Sequence, residues 1–255
     1  MKLAVMHSVD GERYGSAVLV DSCDSKVKMW LNNHCNSEYY VLQRNSEDFN
    51  IPPHKLNTKK YVSALKNLGV THVLASSAVG GLRPEQNIGD MVVIDQYIGL
   101  FQRHVTFFEE DNFALTDMTN PFCPCLRDIL IKSCAKSGVD FYENGCYVGM
   151  DGPRYETAAE IRAMAHLNSD VVGMTIVPEA IMMREAGICY AAVCLIVNKG
   201  AGMEDEAIVN KKLLENRKKY NFYPQTVLKI AAEITLSQSG LLDGCNCCKT
   251  SSDIQ

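Results

Sequence analysis

The residues best suited to chemistry lie between positions 150 and 202, in three loops that each follow an apolar run. In chain order they supply an aromatic ring, a carboxylate, a thioether, a hydroxyl and an amide: Tyr155, Glu156, Met174, Thr175 and Asn198. Ligands of open α/β sheets bind beyond the carboxyl ends of the strands. We therefore expect the three loops to converge on one pocket. Such a pocket could hold a flat heterocycle with a hydrogen-bonding edge.

The hydrogen-bonding groups of Glu156 and Asn198 match one class of heterocycle. An ionised carboxylate only accepts hydrogen bonds, whereas an amide both donates and accepts them. A 6-oxopurine has a donor at N1–H and acceptors at O6 and N7, so Glu156 would face the donor and Asn198 the acceptors. Adenine has an acceptor at N1, which Glu156 could not satisfy. Taken alone, Glu156 could instead be a solvated carboxylate near a helix start, where negative charge is favourable in any case.

Groups suited to an anion stand at two other places. Thr175 comes just before a helix predicted to open at Pro178, and helix N-termini attract anions. The segment Ser76 to Gly81 has two serines and paired glycines, which predicts a turn with open backbone N–H groups. An ordinary glycine turn is the alternative. The predicted phosphate ligands are Arg44, Ser77, Ala78 and Thr175. A sugar would then lie between the base and the phosphate, over Met174.

The elements that must position these residues alternate between strands and helices. Strands are predicted at Leu3–Met6, Ala17–Val20, Glu38–Leu42, His72–Ala75, Met91–Asp95, Cys146–Met150, in a short run from Val171, and at Ile188–Val197. Helices are predicted after Asn57, from Pro124 to Ser137, after Thr157 with Glu160 completing a capping box, from Pro178 to Gly187, from Glu206 to Lys219 and from Thr226 to Ser237. This alternation predicts a single α/β domain over residues 1–240, with a central mixed, mostly parallel β-sheet flanked by helices.

Charge and hydropathy argue against several classes of protein. The net charge of −5 and the pI near 5.7, with no basic stripe, argue against nucleic-acid binding. No run of 18 apolar residues is present, which argues against a membrane span. The N-terminal residues turn polar too soon for a signal peptide. We therefore expect a cytoplasmic protein without nucleic-acid or membrane partners.

The cysteines are unusually numerous, with 11 in the chain. Those inside apolar strands or helices are expected to act as small buried hydrophobes; they are Cys134, Cys146, Cys189 and Cys194. The last residues, 241–255, hold Cys245, Cys247 and Cys248 and are predicted to form a flexible tail. The tail has neither paired C-x-x-C units nor a nearby His, which disfavours a zinc site. A metal site and a disulfide within the tail are the alternatives.

A set of short motifs runs through residues 41–202. They are Ile51-Pro-Pro-His54 with Asn57, Ser76-Ser-Ala-Val-Gly-Gly81, Asn120-Pro-Phe-Cys-Pro124, Gly152-Pro-Arg-Tyr-Glu-Thr-Ala-Ala-Glu160, Val172-Gly-Met-Thr-Ile-Val-Pro-Glu179 and Asn198-Lys199. As a set they resemble the trimeric purine nucleoside phosphorylase family, which includes the methylthioadenosine and methylthioinosine phosphorylases. The resemblance implies phosphorolysis of purine nucleosides, with inorganic phosphate as co-substrate and no metal or organic cofactor. It also implies a homotrimer or hexamer, in which the aromatic segment Phe101 to Phe113 is expected to reach a neighbour's site.

The resemblance implies a role for each site residue. The base would be bound by Tyr155, Glu156, Gly173, Met174, Asn198 and Gly200, with Asn198 and Glu156 as the catalytic residues. Phosphate would be bound by Ser8, Arg44, Asn45, Ser77, Ala78 and Thr175. The sugar 5′ substituent would be read by Asn210, Leu213 and Leu214, which leaves open a hydroxyl or a methylthio group. Adenine-cleaving members carry Asp in place of Asn198 and a small hydroxyl residue in place of Glu156. We therefore expect a 6-oxopurine substrate such as inosine, guanosine or 5′-methylthioinosine, the alternative being a methylthioadenosine phosphorylase.

The sequence departs from that family where phosphate should be held. The usual glycine-rich loop after the first strand is replaced by residues 7–11, in which Ser8 can supply the hydroxyl but the flanking glycines are missing. The family's Arg-His-Gly loop reads Arg44-Asn45-Ser46, and Phe49 stands where a second His is expected. Three hypotheses follow: a working phosphorylase with a modified phosphate loop, a nucleoside-binding protein with little catalysis, and a hydrolase that uses water.

Overall fold

The computed structural model describes residues 1–7, 15–34, 37–44, 51–101, 105–109, 113–204, 208–242, 245 and 247. The strands are β1 Leu3–His7, β2 Ser16–Asp21, β3 Lys26–His34, β4 Ser37–Gln43, β5 His72–Gly81, β6 Met91–Val93, β7 Gln96–Phe101, β8 Phe141–Tyr142, β9 Cys146–Met150, β10 Val171–Gly173 and β11 Cys189–Lys199. The helices are α1 Thr58–Asn67, α2 Pro124–Ser137, α3 Ala158–His166, α4 Ile176–Glu185, α5 Asn210–Tyr220, α6 Phe222–Ser237 and α7 Ser239–Leu242. A short 3-10 helix covers Pro53–Lys55.

These strands form one mixed sheet within the described part of the chain. Its main path runs β2-β3-β4-β1-β5-β10-β9-β7, while β11 pairs with β5 and β6, and β6 pairs with β8. The centre is parallel, because β1 pairs in parallel with β4 and β5, and β11 in parallel with β5. The prediction of an α/β domain with a mixed, mostly parallel central sheet is confirmed.

The central strand β11 explains why the sheet is stable. Its residues from Cys189 to Val197 are all at most 4% exposed, since helices cover both faces of the sheet. Each fully buried Val, Leu or Ile side chain contributes roughly 1.5–3 kcal/mol of favourable burial. A continuous apolar run followed by polar residues is therefore the expected pattern for this strand. The run ends at Asn198 and Lys199, which bring polar groups to the carboxyl edge of the sheet.

The segment Ser76 to Gly81 differs from its prediction as a glycine turn. It continues β5, because the long β11 pairs with it as far as Gly81. On the opposite side, β1 pairs with β5 only as far as Ala75, and β10 pairs with it antiparallel at Gly80 and Gly81. Among the described residues, neither β1 nor β10 pairs with residues 76–79. This interruption in the ladder is where a ligand can approach the sheet.

Most helices begin and end close to the predicted residues. Thr157 caps α3 in a capping box with Glu160, as predicted. Helix α4 begins at Ile176, two residues before Pro178, which occupies its first turn. Strand β3, which lies beside β2 and β4, was missed because its alternation is interrupted by a polar end. No helix in the described part of the chain is long and apolar enough to span a bilayer.

The predicted flexible tail at residues 241–255 lies mostly outside the described residues. Within the described part, Leu242 is 4% exposed, and Cys245 and Cys247 pack against the apolar layer that covers one face of the sheet. These contacts join the beginning of the tail to the domain. The boundary at residue 240 and the flexibility of the remaining tail stay predictions.

Candidate functional site

A cavity of about 160 Å³ lies at the carboxyl edge of the sheet, beside the interruption in the β5 ladder. The ends of β5, β10 and β11, the loop before α3, and α5 all contribute to its lining. The structure therefore brings together most of the predicted site residues: Ser77, Ala78, Tyr155, Glu156, Gly173, Met174, Thr175, Asn198 and Leu213. The convergence of three loops on one pocket is observed as predicted.

One end of the cavity carries a buried carboxylate and an amide. Glu156 is only 7% exposed, and this burial raises the pKa of its carboxyl group above the usual value. Asn198 follows an irregularity in β11, where the pairing register with β5 shifts after Ile196. Such bulges re-aim a side chain. The Asn198 Nδ2 donates to the carbonyl of Lys199 over 2.8 Å, which orients the amide in the lining.

Lys199 anchors the end of β11. Its Nζ donates to the carbonyl oxygens of Arg83 over 2.8 Å, Pro84 over 3.1 Å, and Gln86. These bonds tie the strand end to the loop after β5, so Lys199 holds the neighbouring Asn198 in place. Gly200, which was predicted to contact the base, is not among the residues that line the cavity. A Cβ there would meet Ile161 and Leu82 at 3.0–3.1 Å, so the glycine permits close packing.

The middle of the cavity is formed by Met174, whose position depends on a glycine. Gly152 has φ +71°, which favours glycine. A Cβ added there would come within 2.5 Å of the Met174 Sδ. The glycine in the loop after β9 therefore lets the Met174 thioether pack against this loop while it lines the cavity. This is the place expected for a sugar.

Helix α5 closes one side of the cavity through Leu213 and Arg217. Sequence reasoning missed Arg217, although positions i and i+4 share a helix face and Leu213 was already predicted. Asn210 is exposed and accepts a hydrogen bond from the Tyr155 hydroxyl over 2.9 Å, so it contacts the site through that ring. Leu214 is 51% exposed and does not line the cavity.

The other end of the cavity carries two hydroxyls at the start of α4. The Ser77 Oγ and the Thr175 Oγ1 lie 3.1 Å apart. The backbone N–H groups of Thr175 and Ile176 donate to the Tyr147 hydroxyl over 3.1 and 3.4 Å. A Cβ at Gly173 would lie 2.3 Å from that hydroxyl, so the glycine permits its approach. Tyr147 was missed by sequence reasoning because it lies inside an apolar strand.

Arg44 lies beside this end but does not line the cavity. Its guanidinium pairs with the Glu179 carboxylate through Nε and Nη2, the latter over 2.8 Å, and donates to the carbonyl of Ser76 over 3.0 Å. Both side chains are fully buried. Burial alone would lower the pKa of Arg44, but the adjacent Glu179 carboxylate raises it above the usual value. The predicted phosphate ligands Ser8 and Asn45 lie outside the described residues.

The geometry thus divides the cavity into a buried carboxylate and amide, a thioether floor, and a pair of hydroxyls. The chain belongs to the phosphorylase superfamily, whose model matches residues 44–228. It is 39% identical over 198 residues to the 6-oxopurine nucleoside phosphorylase of Pyrococcus furiosus, covering 74% of this chain and 75% of that protein. It is also 39% identical over 167 residues to a probable S-methyl-5′-thioinosine phosphorylase of Methanopyrus kandleri, covering 65% of each.

A solved structure shares the whole architecture. The methylthioadenosine phosphorylase from Schistosoma mansoni, in complex with tubercidin, superposes with a TM-score of 0.85 at 25% identity. The match covers 93% of this chain and 92% of that one. The resemblance drawn from short motifs is therefore confirmed at the level of family and fold.

Proposed function

We propose that this protein cleaves the N-glycosidic bond of 6-oxopurine nucleosides by phosphorolysis, releasing the free base and a ribose 1-phosphate. The observation that carries the proposal is the buried carboxylate of Glu156 in one cavity with the amide of Asn198. A buried carboxylate needs a donor, and the N1–H of a 6-oxopurine is one. Adenine has no proton at that position. The names of the two sequence relatives described above agree with this choice of base, whereas the Schistosoma mansoni neighbour is named for an adenine nucleoside.

In the proposed reaction, phosphate attacks the anomeric carbon while the base departs, through an oxocarbenium-like state. The Ser77 and Thr175 hydroxyls, 3.1 Å apart, would bind phosphate oxygens. Asn198 would stabilise the negative charge that develops on the leaving base, and Glu156 would hold N1–H. Catalysis would come mainly from positioning and electrostatic stabilisation, because no protein group needs to form a covalent bond.

The substitution Asn198→Asp tests the proposed base selectivity. Replacing the amide by a carboxylate removes its N–H donor, so the kcat/KM for inosine is expected to fall by about 100-fold or more. The kcat/KM for adenosine should rise relative to that for inosine, because a protonated purine N7 or the adenine amino group can be met by the new acceptor. The measurement is kcat/KM on both nucleosides, with Asn168→Asp on an exposed turn as the control. An unchanged inosine-to-adenosine ratio in Asn198→Asp would refute this assignment of the base site.

The 5′ substituent separates two candidate substrates of the same reaction. Leu213 lines the cavity, whereas the Asn210 amide is held by the Tyr155 hydroxyl. An apolar side chain favours a methylthio group, which makes 5′-methylthioinosine the second candidate beside inosine and guanosine. A methylthioadenosine substrate is less compatible with the buried Glu156, since adenine leaves that carboxylate facing an acceptor.

A nucleoside-binding protein with little catalysis is the competing function. It is favoured by the pairing of Arg44 with Glu179 and by the Tyr147 hydroxyl at the start of α4, since both engage groups that could otherwise reach phosphate. A hydrolase that uses water would leave the paired hydroxyls of Ser77 and Thr175 without a purpose. The three functions differ in one property, the requirement for phosphate.

The proposal also covers the co-substrate, the oligomeric state and the cellular compartment. We expect inorganic phosphate to be the co-substrate, with no metal or organic cofactor taking part in the reaction. We further expect a homotrimer or hexamer in the cytoplasm. Size-exclusion chromatography with light scattering checks the assembly, and a monomer would contradict it.

A further inference from the structure

Four cysteines distant in sequence meet on the side of the sheet covered by α2 and α6. They are Cys123, Cys189, Cys245 and Cys247, and all their sulfur atoms lie within 4.8 Å of one another. Cys245 lies 3.6 Å from Cys123, 3.8 Å from Cys189 and 3.2 Å from Cys247, measured between Sγ atoms. Cys189 and Cys247 are 3.5 Å apart. None of these described cysteines is joined in a disulfide.

The fold supplies half of this cluster from rigid elements. Cys123 caps α2, Cys189 begins β11, and both are buried. The Cys123 N–H donates to the carbonyl of Tyr190 over 2.8 Å, which fixes Cys123 beside the start of β11. The other half comes from the segment after α7, where the Cys245 N–H donates to the carbonyl of Leu242 over 2.9 Å. One residue separates Cys245 from Cys247, so the two thiols lie close enough to chelate one ion.

The arrangement matches the requirements of a structural zinc site. Zinc binds four thiolates as a tetrahedron with Zn–S distances of about 2.3 Å, which places the sulfurs about 3.8 Å apart. The four measured pairs are separated by 3.2–3.8 Å, at or slightly below that value. Four thiolates and Zn²⁺ carry a net charge of −2. Cys123 stands at the N-terminus of a fourteen-residue helix, where negative charge is stabilised.

We propose that Cys123, Cys189, Cys245 and Cys247 bind one zinc ion that fastens the C-terminal segment to β11 and α2. Binding displaces the four thiol protons to solvent, and no redox step is involved. The ion would be structural, because four protein ligands fill the tetrahedron and leave no position for substrate. The sequence alone disfavours this site, since the tail lacks a second C-x-x-C pair; the second pair comes from two distant elements.

Metal content tests the proposal directly. The full chain, without a histidine tag, is purified under nitrogen and without chelators from cells grown with added zinc. Mass spectrometry of the metals should find about one zinc per chain. The matched variants are Cys247→Ser, which should lose the zinc, and Cys23→Ser, which should keep it because Cys23 is exposed and outside the cluster. If Cys247→Ser does not fold, wild-type protein reconstituted with Co²⁺ provides the second measurement. It should show the intense visible bands of tetrahedral cobalt thiolate.

The outcomes either support or overturn the site. One zinc in the wild type and in Cys23→Ser, with loss in Cys247→Ser or tetrahedral cobalt bands in the wild type, supports it. Wild-type protein without metal, whether its thiols are reduced or joined in disulfides on peptide mapping, overturns it. Iron in place of zinc, or equal loss of zinc from Cys23→Ser and Cys247→Ser, also overturns the assignment.

Discussion

Glu156 links the chemistry of the site to pH. Burial raises the pKa of its carboxyl group, so the carboxylate that we propose as the acceptor for N1–H becomes protonated at a higher pH than an ordinary carboxylate. Because the folded-state pKa is raised, the folded protein gains relative stability as the group becomes protonated and loses it as pH rises through that pKa. The same burial that makes Glu156 selective for a donor therefore makes the ligand-free protein less stable when the carboxylate is ionised.

The substitution Glu156→Gln should separate these effects. The neutral amide can still accept from N1–H, but the hydrogen bond is no longer charge-assisted, so the inosine KM should rise by about 10-fold at neutral pH. The rise in KM on acidification that we expect of the wild type should be absent in this variant. Thermal unfolding at neutral pH without ligand should occur at a higher temperature than in the wild type. KM profiles and melting curves check this, with the exposed Glu143→Gln as control. A variant that retains the wild-type pH profile would contradict the role of Glu156.

Site residues can be predicted from sequence where a polar side chain stands at the end of an apolar strand or in the loop after it. Asn198 ends a buried apolar run, and Glu156 follows a strand, so both stand out as polar groups that need a partner. The pairing of Arg44 with Glu179 could not be foreseen, since 135 positions separate the two residues. Only the packing of α4 against the sheet brings them together. Breaking such a buried pair from one side typically costs about 3–5 kcal/mol, so loss of either residue is expected to destabilise the fold.

Helix α4 is the element on which the proposed phosphate site depends. Its first N–H groups, at Thr175 and Ile176, donate to the Tyr147 hydroxyl. The hydroxyl thus accepts from backbone N–H groups that have no acceptor within the helix, as at any helix N-terminus. An anion that binds here would compete with the Tyr147 hydroxyl for these N–H groups, or would share them with it.

The substitution Tyr147→Phe tests this relation between α4 and phosphate. Loss of the hydroxyl leaves two backbone donors without an acceptor, so stability without phosphate should fall by about 1–3 kcal/mol. Added phosphate should then raise the melting temperature more in the variant than in the wild type, because the ion can accept from the exposed donors. Differential scanning calorimetry with and without phosphate measures this. Tyr142→Phe is the matched control, because the Tyr142 hydroxyl donates to the carbonyl of Glu85 rather than to a group of the cavity. Equal phosphate-induced shifts in Tyr147→Phe and the wild type would contradict the expectation.

At the level of elements, the sequence predicts most helices and strands, because caps, prolines and apolar runs are local signals. Thr157 with Glu160 marks the start of α3 from sequence alone. The segment Ser76 to Gly81 was predicted wrongly, since its serines and glycines are typical of turns. Pairing with β11 overrides that local preference and keeps the segment extended. The position of the pocket consequently depends on where the pairing of β1 and β10 with β5 stops. A local sequence pattern does not predict these limits.

Across the whole molecule, two features of different origin determine what the protein can do. The chain belongs to the phosphorylase superfamily, and the carboxyl edge of its sheet carries side chains that we propose recognise the base. The phosphate end departs from the family pattern in sequence, and in the structure Arg44 is committed to Glu179. The zinc ion proposed at the cysteine cluster would fasten the C-terminal segment to β11 and α2. The requirement for phosphate therefore distinguishes phosphorolysis from nucleoside binding and from hydrolysis.

The requirement for phosphate is the most direct test of the proposed reaction. Inosine, guanosine and 5′-methylthioinosine are incubated with the protein in phosphate-free buffer and with added phosphate, and both the free base and the sugar product are quantified. Thr175→Val, which removes one of the paired hydroxyls while keeping a similar shape, is assayed in parallel. We predict equal amounts of base and (methylthio)ribose 1-phosphate only when phosphate is present, with a higher KM for phosphate in Thr175→Val. Release of base with free sugar in the absence of phosphate, or tight nucleoside binding without turnover in its presence, would contradict the proposed function.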